Sequence, residues 1–418
     1  MSRYVIEGGF ALRGMVEAAA NKNAVLPIMA ATLLTDEVCV LTNVPQITDV
    51  IVMGNLLRQL GAQVEGLGSK ELRICCAGVQ ETTLNPDLVR RMRAAVTLLA
   101  PLLARRGRVR TQHPGGCVIG RRDIGTHLDA LAALGARVKE VDGHYDIVAS
   151  RLVGATVFLD EASVTATENT VMAACLAEGL TVIKHAACEP HVEDFCHFLV
   201  AMGAEIAGIG SNVISVQGVQ SLHGATHRIS TDHVDVGTFA VAAALTGGDL
   251  LIKNFVPEHF EMIGLVLERM GVEMEITANT LHIHPSELVG TRKITTDPWP
   301  GFPTDLASVF IVLATQASGT TLIHDWMYEG RMFFIDKLVS MGAHIVLCDP
   351  HRCVVTGPTR LRPRVLYSPD LRAGAALVLA ALASQGSSEI HDVELVERGY
   401  ENFVDRLSAL GGRIEKVD

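Results

Sequence analysis

The chain has 418 residues, 49% hydrophobic and 19% charged, enough for a large core and for two domains on the usual size scale. A formal net charge of -11 argues against a general nucleic-acid binder and leaves room only for a local basic pocket for a small anion. Aromatic residues at 5% disfavour base stacking, and the apolar runs 94–104 and 373–383 are too short to span a bilayer, so neither nucleic acid nor membrane insertion is expected.

Taken in chain order, "MSRYVIEGGFALRG" is strand-like and lacks the apolar core of a signal peptide. With nine cysteines scattered without CxxC spacing, a reduced, cytoplasmic protein is the simplest expectation. Next, "EAAANKNAVLPIMAATLL" predicts a helix beginning near Ala24, capped by Asn21 or Asn23, with Pro27 in its first turn. Lys22 at that N-terminus suits an anion, although taken alone a solvated lysine is the plainer reading. Cys75 and Cys76, in a strand-like run, and Cys175, in "VMAACLAEGL", read as core residues, because free cysteine packs as a small hydrophobe.

The stretch "HPGGCVIGRRDIG" places Cys117 after two glycines and before Arg121 and Arg122. Glycines uncover the thiol and neighbouring guanidinium groups favour its thiolate, as a reagent on an exposed loop requires, although taken alone a cysteine that merely lies in a turn is the plainer reading. In "DPWPGFPTDLASVF", prolines hold an extended approach to a helix, and Thr304 or Asp305 is a ready N-cap. Arg93, Arg331, Arg372 and Arg398 stand near the starts of helical segments, and together such arginines can hold phosphate and carboxylate groups. Metal binding is poorly supported. The sixteen histidines give no HExxH, and the crowding of Cys188, His191, Cys196 and His197 fits no zinc spacing.

One pattern recurs six times: "LRQLGAQVE", "LAALGARVK", "LVAMGAEIA", "LERMGVEME", "LVSMGAHIV" and "LSALGGRIE", centred on Gly61, Gly135, Gly203, Gly271, Gly342 and Gly411. Each reads as an amphipathic helix, a glycine C-cap and a half-exposed strand; in the last, Tyr400, Phe403, Leu407 and Leu410 fall on one helical face. The period of roughly 70 residues is too long for the common solenoids and predicts two α/β domains of three units each. The polar stretch 227–239 marks the joint, and the Cys117 loop lies in the longest interval, between Gly61 and Gly135.

The motifs "NKNAVLPIMAATLL", "LTNVPQITDV", "RMRAAV", "HPGGCVIGRR", "SVTATENTVMAA", "FPTDLAS", "LRAGAALVLA" and "ERGYENF" occur in order across nearly the whole chain, which resembles the UDP-N-acetylglucosamine enolpyruvyl transferase (1-carboxyvinyltransferase) family. The resemblance implies a two-domain inside-out α/β barrel of six repeated units, with helices at the centre of each domain. One domain would span 22–230 and carry the Cys117 loop; the other would combine 1–21 with 231–418. The implied reaction moves the enolpyruvyl group of phosphoenolpyruvate to a sugar-nucleotide hydroxyl and releases phosphate, with no metal or other cofactor.

By the same resemblance, Cys117 forms the covalent phosphoenolpyruvate adduct and is the target of fosfomycin, and Asp305 is the base near the attacking hydroxyl. Lys22, Arg122 and Arg398 hold the phosphate, and Arg331 and Arg372 face its carboxylate or the closed-state cleft. Asn23 contacts the acceptor sugar, while Arg93, Ser163 and Val164 position the nucleotide. The chain departs from the family pattern at Asp123 and Gly125, where Pro and Asp are common, at Glu161, where some members are basic, and at Thr165, where glycine is usual. These departures lie on the acceptor side, so a nucleotide in specialised metabolism is the alternative acceptor. A non-catalytic sugar-nucleotide sensor is the third reading, opposed by the joint presence of Lys22, Cys117, Asp305 and Arg398.

Overall fold

The computed structural model describes residues 2–115, 119–120 and 123–417. Cys117, Arg121 and Arg122 therefore lie outside the described residues. The chain divides into two compact units. One comprises the residues up to Ala19 and from Thr231 onward, with Ile119 and Gly120; the other runs from Ala20 to Ser230 apart from that short stretch.

All six pattern glycines adopt left-handed backbone, with φ from 81 to 108°, a region that a side-chain-bearing residue enters only with strain. Each ends a helix: Thr48–Leu60, Gly125–Ala133, Pro190–Ala201, Glu261–Arg269, Ile335–Ser340 and Phe403–Ala409. Each is followed by a strand: Gln63–Glu65, Arg137–Val141, Glu205–Ala207, Met274–Ile276, His344–Asp349 and Arg413–Val417. Every one of these strands forms the edge of its own sheet. The repeat in the sequence is thus a repeat of sheet edges. One detail differs from expectation. Tyr400 is not on the last helix, because Asn402 turns left-handed (φ 46°) and the helix begins at Phe403; Tyr400, Phe403, Leu407 and Leu410 are all buried nonetheless.

The unit from Ala20 to Ser230 holds three sheets. In the first, Val38–Thr42 pairs with Glu71–Cys75 antiparallel and with Thr226–Arg228 parallel. In the third, Leu180–Lys184 pairs with Val213–Gln217 antiparallel and with Thr156–Phe158 parallel. The middle sheet has three strands, and its outer parallel partner shrinks to a single bridge between Thr83 and Arg110. In the other unit, three four-stranded sheets follow the same plan, and the strand Arg3–Gly8 lies between Gly386–His391 and Arg413–Val417.

Within each unit the centre is helical. Lys22–Ala31, Leu99–Arg106 and Val164–Cys175 pack in one unit; His233–Leu245, Ala307–Gln316 and Leu371–Ala383 pack in the other. Every residue at 233–244 and at 371–382 is buried. Small residues such as those of "RAGAALVLAALA" let these helices sit in an apolar surround on all sides, where a surface helix would keep a polar stripe. Most cysteines join this core. Cys76 and Cys175 are buried, and burial pushes both thiols up to about 12, which leaves them protonated and inert at neutral pH. Cys75 is the correction: it is half-buried, with Sγ donating to the Asp36 carbonyl. Among the described residues, no helix is long and apolar enough to cross a membrane.

Candidate active site

In the Ala20–Ser230 unit, Asn21 is itself buried and its Oδ1 accepts from the backbone N–H groups of Asn23 and Ala24 at 2.9 and 3.3 Å. This cap starts the helix at Lys22, earlier than the sequence suggests, and Pro27 falls inside the helix instead of in its first turn. The cap also fixes the direction of Lys22. A lysine in the first turn faces the positive end of the helix, an unfavourable place unless a carboxylate answers it. Asp49, in the first turn of the helix Thr48–Leu60, does so at 2.9 Å, and both side chains are largely buried. Lys22 is therefore not a solvated lysine. Asn23 follows on the same turn.

Elsewhere in this unit, Arg93 opens a short 3-10 turn and its Nη2 donates to the Asp123 carbonyl at 2.7 Å. Ser163 caps the helix Val164–Cys175, with Oγ accepting from the Ala166 N–H at 3.4 Å. Beside that cap a polar network is built around buried His127. Its Nε2 meets Thr165 Oγ1 at 3.2 Å and its Nδ1 meets Asn169 Nδ2 at 2.8 Å. The Thr165 hydroxyl thus ties the first turn of one helix to the helix Gly125–Ala133. Glu161 lies two residues before the cap.

In the other unit, Asp305 sits on the 3-10 turn Thr304–Leu306, ahead of the helix Ala307–Gln316. Neither Thr304 nor Asp305 caps that helix. Thr304 Oγ1 donates to Asp325, and the Asp305 carboxylate is taken by two arginines, Arg331 Nη2 at 3.2 Å and Arg372 Nη2 at 2.7 Å. The arginine side chains are 2% and 5% exposed, whereas Asp305 is 28% exposed. Arg331 also lies 3.6 Å from the fully buried Asp325. Arg372 stands in the first turn of the helix Leu371–Ala383, where its own N–H and that of Ala373 are capped by Asp370. Its guanidinium lies 5.3 Å from the Tyr400 ring centre.

The electrostatics follow from this packing. Burial alone would pull the Arg372 guanidinium down, but Asp305, Tyr400 and Asp232 more than offset it, and its pKa stands above the ordinary arginine value. Asp232 caps the helix His233–Leu245 and is buried; desolvation pushes it up to about 6, against the opposing pull of Arg372. Arg398 closes the short helix Glu394–Glu397 and is partly buried. The sequence reading missed Asp49, Asp325 and Tyr400. Only tertiary contact reveals the first two, while Tyr400 was visible as an apolar-face residue without its second role.

Chemically, these groups can hold strongly anionic groups. Guanidinium groups bind carboxylate or phosphate in a planar fork, a lysine supplies a point charge, and a partly exposed carboxylate can take up a proton once released from its arginines.

Comparison with known proteins agrees in family and fold. A family model described as EPSP synthase (3-phosphoshikimate 1-carboxyvinyltransferase) matches residues 6–407. A UDP-N-acetylglucosamine 1-carboxyvinyltransferase of Borreliella burgdorferi is 47% identical, with 100% of this chain and 99% of the relative covered. Proteins of the same name from Treponema pallidum and Bradyrhizobium diazoefficiens are 46% and 45% identical; the alignments cover 100% and 99% of this chain and 100% and 98% of those relatives. Among solved structures, the enolpyruvyl transferase NikO from Streptomyces tendae superposes with a TM-score of 0.89 at 25% identity, covering 100% of this chain and 99% of that one. EPSP synthase from Acinetobacter baumannii gives 0.78 at 20% identity with full coverage of both, a likeness of fold. The repeated sheet edges, the buried central helices and this full-length similarity lead to one conclusion: the chain belongs to the EPSP synthase family of enolpyruvyl (1-carboxyvinyl) transferases.

Proposed function

We propose that this protein transfers the enolpyruvyl group of phosphoenolpyruvate to a hydroxyl of UDP-N-acetylglucosamine with release of inorganic phosphate, the first committed step of peptidoglycan synthesis. The observation that carries the reading is similarity of 42–47% over essentially the whole chain to proteins of that name. A cytoplasmic place of work follows from the substrates.

The reaction adds the acceptor oxygen to C2 of phosphoenolpyruvate while C3 takes a proton. Loss of a proton from the resulting methyl group then expels phosphate and restores the double bond. An acid for the methylene carbon and a base for the hydroxyl are needed, with fixed cations where negative charge gathers. Cys117 is assigned the thiol that reacts with phosphoenolpyruvate and assists proton transfer, and Asp305 the base. Lys22, Arg122 and Arg398 hold the phosphate. Arg331 and Arg372 receive the carboxylate. In this scheme the incoming carboxylate competes with Asp305 for its two arginines, and the released Asp305 is then free to accept the hydroxyl proton. Asn23 contacts the sugar, and Arg93, Ser163 and Val164 position the nucleotide.

Asp123, Gly125, Glu161 and Thr165 shape the acceptor side, and Thr165 does so through its hydrogen bond to His127. They motivate the second reading, the same chemistry on another nucleotide acceptor. Phosphate release measured with phosphoenolpyruvate and a panel of nucleotide sugars and nucleosides separates the two. Turnover with UDP-N-acetylglucosamine above all other acceptors is expected; its absence, with turnover of another acceptor, sinks the first reading. For Cys117, intact mass after treatment with fosfomycin is expected to show one adduct at that residue, and wild-type activity in Cys117→Ser/Asp305→Ala contradicts the mechanism.

A further inference from the structure

In the unit that holds Asp305, a second polar cluster takes no part in the scheme above. The strand Thr280–Ile283 runs on into His284, and His282 and His284, two residues apart, project from one face of the sheet. The strand Asp249–Lys253 pairs antiparallel with it, Leu250 opposite Ile283, so Asp249 lies across from His284. On the other side, Met274–Ile276 sets Glu275 opposite His282. Three adjacent strands thus bring two imidazoles and two carboxylates to one patch.

The side chains converge. His282 Nε2 is 2.8 Å from Asp249 Oδ1, and His284 Nε2 is 3.8 Å from Glu275 Oε1. The two imidazole centres are 4.1 Å apart. One ligand atom from each of Asp249, His282 and His284 lies within 4.8 Å of the others, and all three residues are partly exposed, open to an ion from solvent. A tetrahedral zinc ion with bonds of about 2.0–2.2 Å sets its ligand atoms about 3.3–3.6 Å apart, so the hydrogen-bonded His282–Asp249 pair must open from 2.8 Å and wider pairs close by up to roughly 1 Å, changes within reach of side-chain rotation. Mixed nitrogen and oxygen donors suit zinc, whereas magnesium and calcium prefer oxygen alone.

We propose that Asp249, His282 and His284 form a zinc-binding site, with Glu275 in reach as a fourth ligand. The bound ion would clip the edge strand and its two neighbours together across their side chains, replacing the separate His282–Asp249 and His284–Glu275 contacts with bonds to one centre. Arg13, aligned with Asp249 on the next strand, is a competing cation, and its removal should strengthen the site.

The test titrates metal-stripped full-length protein with Zn²⁺ against a chromogenic chelator. His282→Ala and His284→Ala are each expected to weaken one zinc equivalent at least tenfold, since loss of even an outer partner typically costs roughly ten- to a hundredfold. Arg13→Ala should tighten it. Zinc should raise the melting temperature of the wild type and not of the histidine variants, by linkage of binding to folding. Activity measured without zinc should be the same in all of them. Asp249→Asn keeps the shape and removes the charge, so it gives the same answer should an alanine variant fold poorly. The proposal is overturned by wild-type protein that takes up no zinc, or by histidine variants that bind and are stabilised as the wild type is.

Discussion

Asp49 and Asp305 each answer buried cations, but their settings differ. Asp49 is 4% exposed and holds one lysine, Lys22, itself 12% exposed. Asp305 is 28% exposed and holds two arginines that are almost wholly buried. In the first pair both charges are out of water, and loss of Asp49 takes from Lys22 the carboxylate that answers it. In the second the buried members are the cations and the accessible member is the acid. A carboxylate at the outer end of two guanidinium forks can be exchanged for another carboxylate without moving the arginines. The contrast suggests that Lys22–Asp49 is a fixed point and Asp305–Arg331–Arg372 a replaceable one.

The largest expected effect tests the replaceable end. Asp305→Asn should lower turnover roughly a hundred- to ten-thousandfold, the range for removal of a general base, while binding of phosphoenolpyruvate is kept or strengthened because the arginines lose a competitor. Weaker binding together with lost turnover would break the comparison; single-turnover phosphate release and equilibrium binding read the two separately. At the fixed end, Asp49→Ala should destabilise the protein by about 3–5 kcal/mol, since Lys22 would remain buried and unpaired. Urea unfolding checks this, and a loss under 1 kcal/mol would show that Lys22 simply turns to solvent.

The third effect concerns pH. The Asp232 carboxyl is raised from 3.8 to about 6 by burial, so the folded state binds its proton more tightly than the unfolded chain does. Its contribution to stability is fully present below about pH 4 and is lost as pH rises through about 6, a change of up to about 3 kcal/mol. Comparing wild type with Asp232→Asn between pH 4 and 7 isolates it, because the other carboxylates cancel; equal slopes in the two proteins would refute the assignment. The smallest effect is the cap that aims Lys22. Asn21→Ala should cost about 1 kcal/mol, read as a lower urea midpoint with unchanged slope.

Much of the fold was legible because the six glycines mark a conformation that few other residues tolerate, and the helix–glycine–strand order repeats around them. The Asp305 turn was found as well, yet its local reading as a helix cap failed, since Arg331 and Arg372 come from 26 and 67 residues away. Asp49 was invisible for the same reason: an acid in a helix's first turn is ordinary until a buried lysine is known to face it. The Asp249–His282–His284 cluster fits no linear zinc motif, because sheet register, not spacing along one segment, assembles it. Pro27 misled by position alone; the buried Asn21 cap set the helix start.

The central helices His233–Leu245 and Leu371–Ala383 have no face toward water. In an ordinary amphipathic helix, exposed amides exchange their hydrogens through small local openings, whereas here nothing short of opening a whole unit brings solvent to the amides of 371–382. The usual order of protection should therefore invert, with the outer edge strands after each glycine exchanging within minutes and the helices last of all, so that the slowest amides in each unit report its global stability.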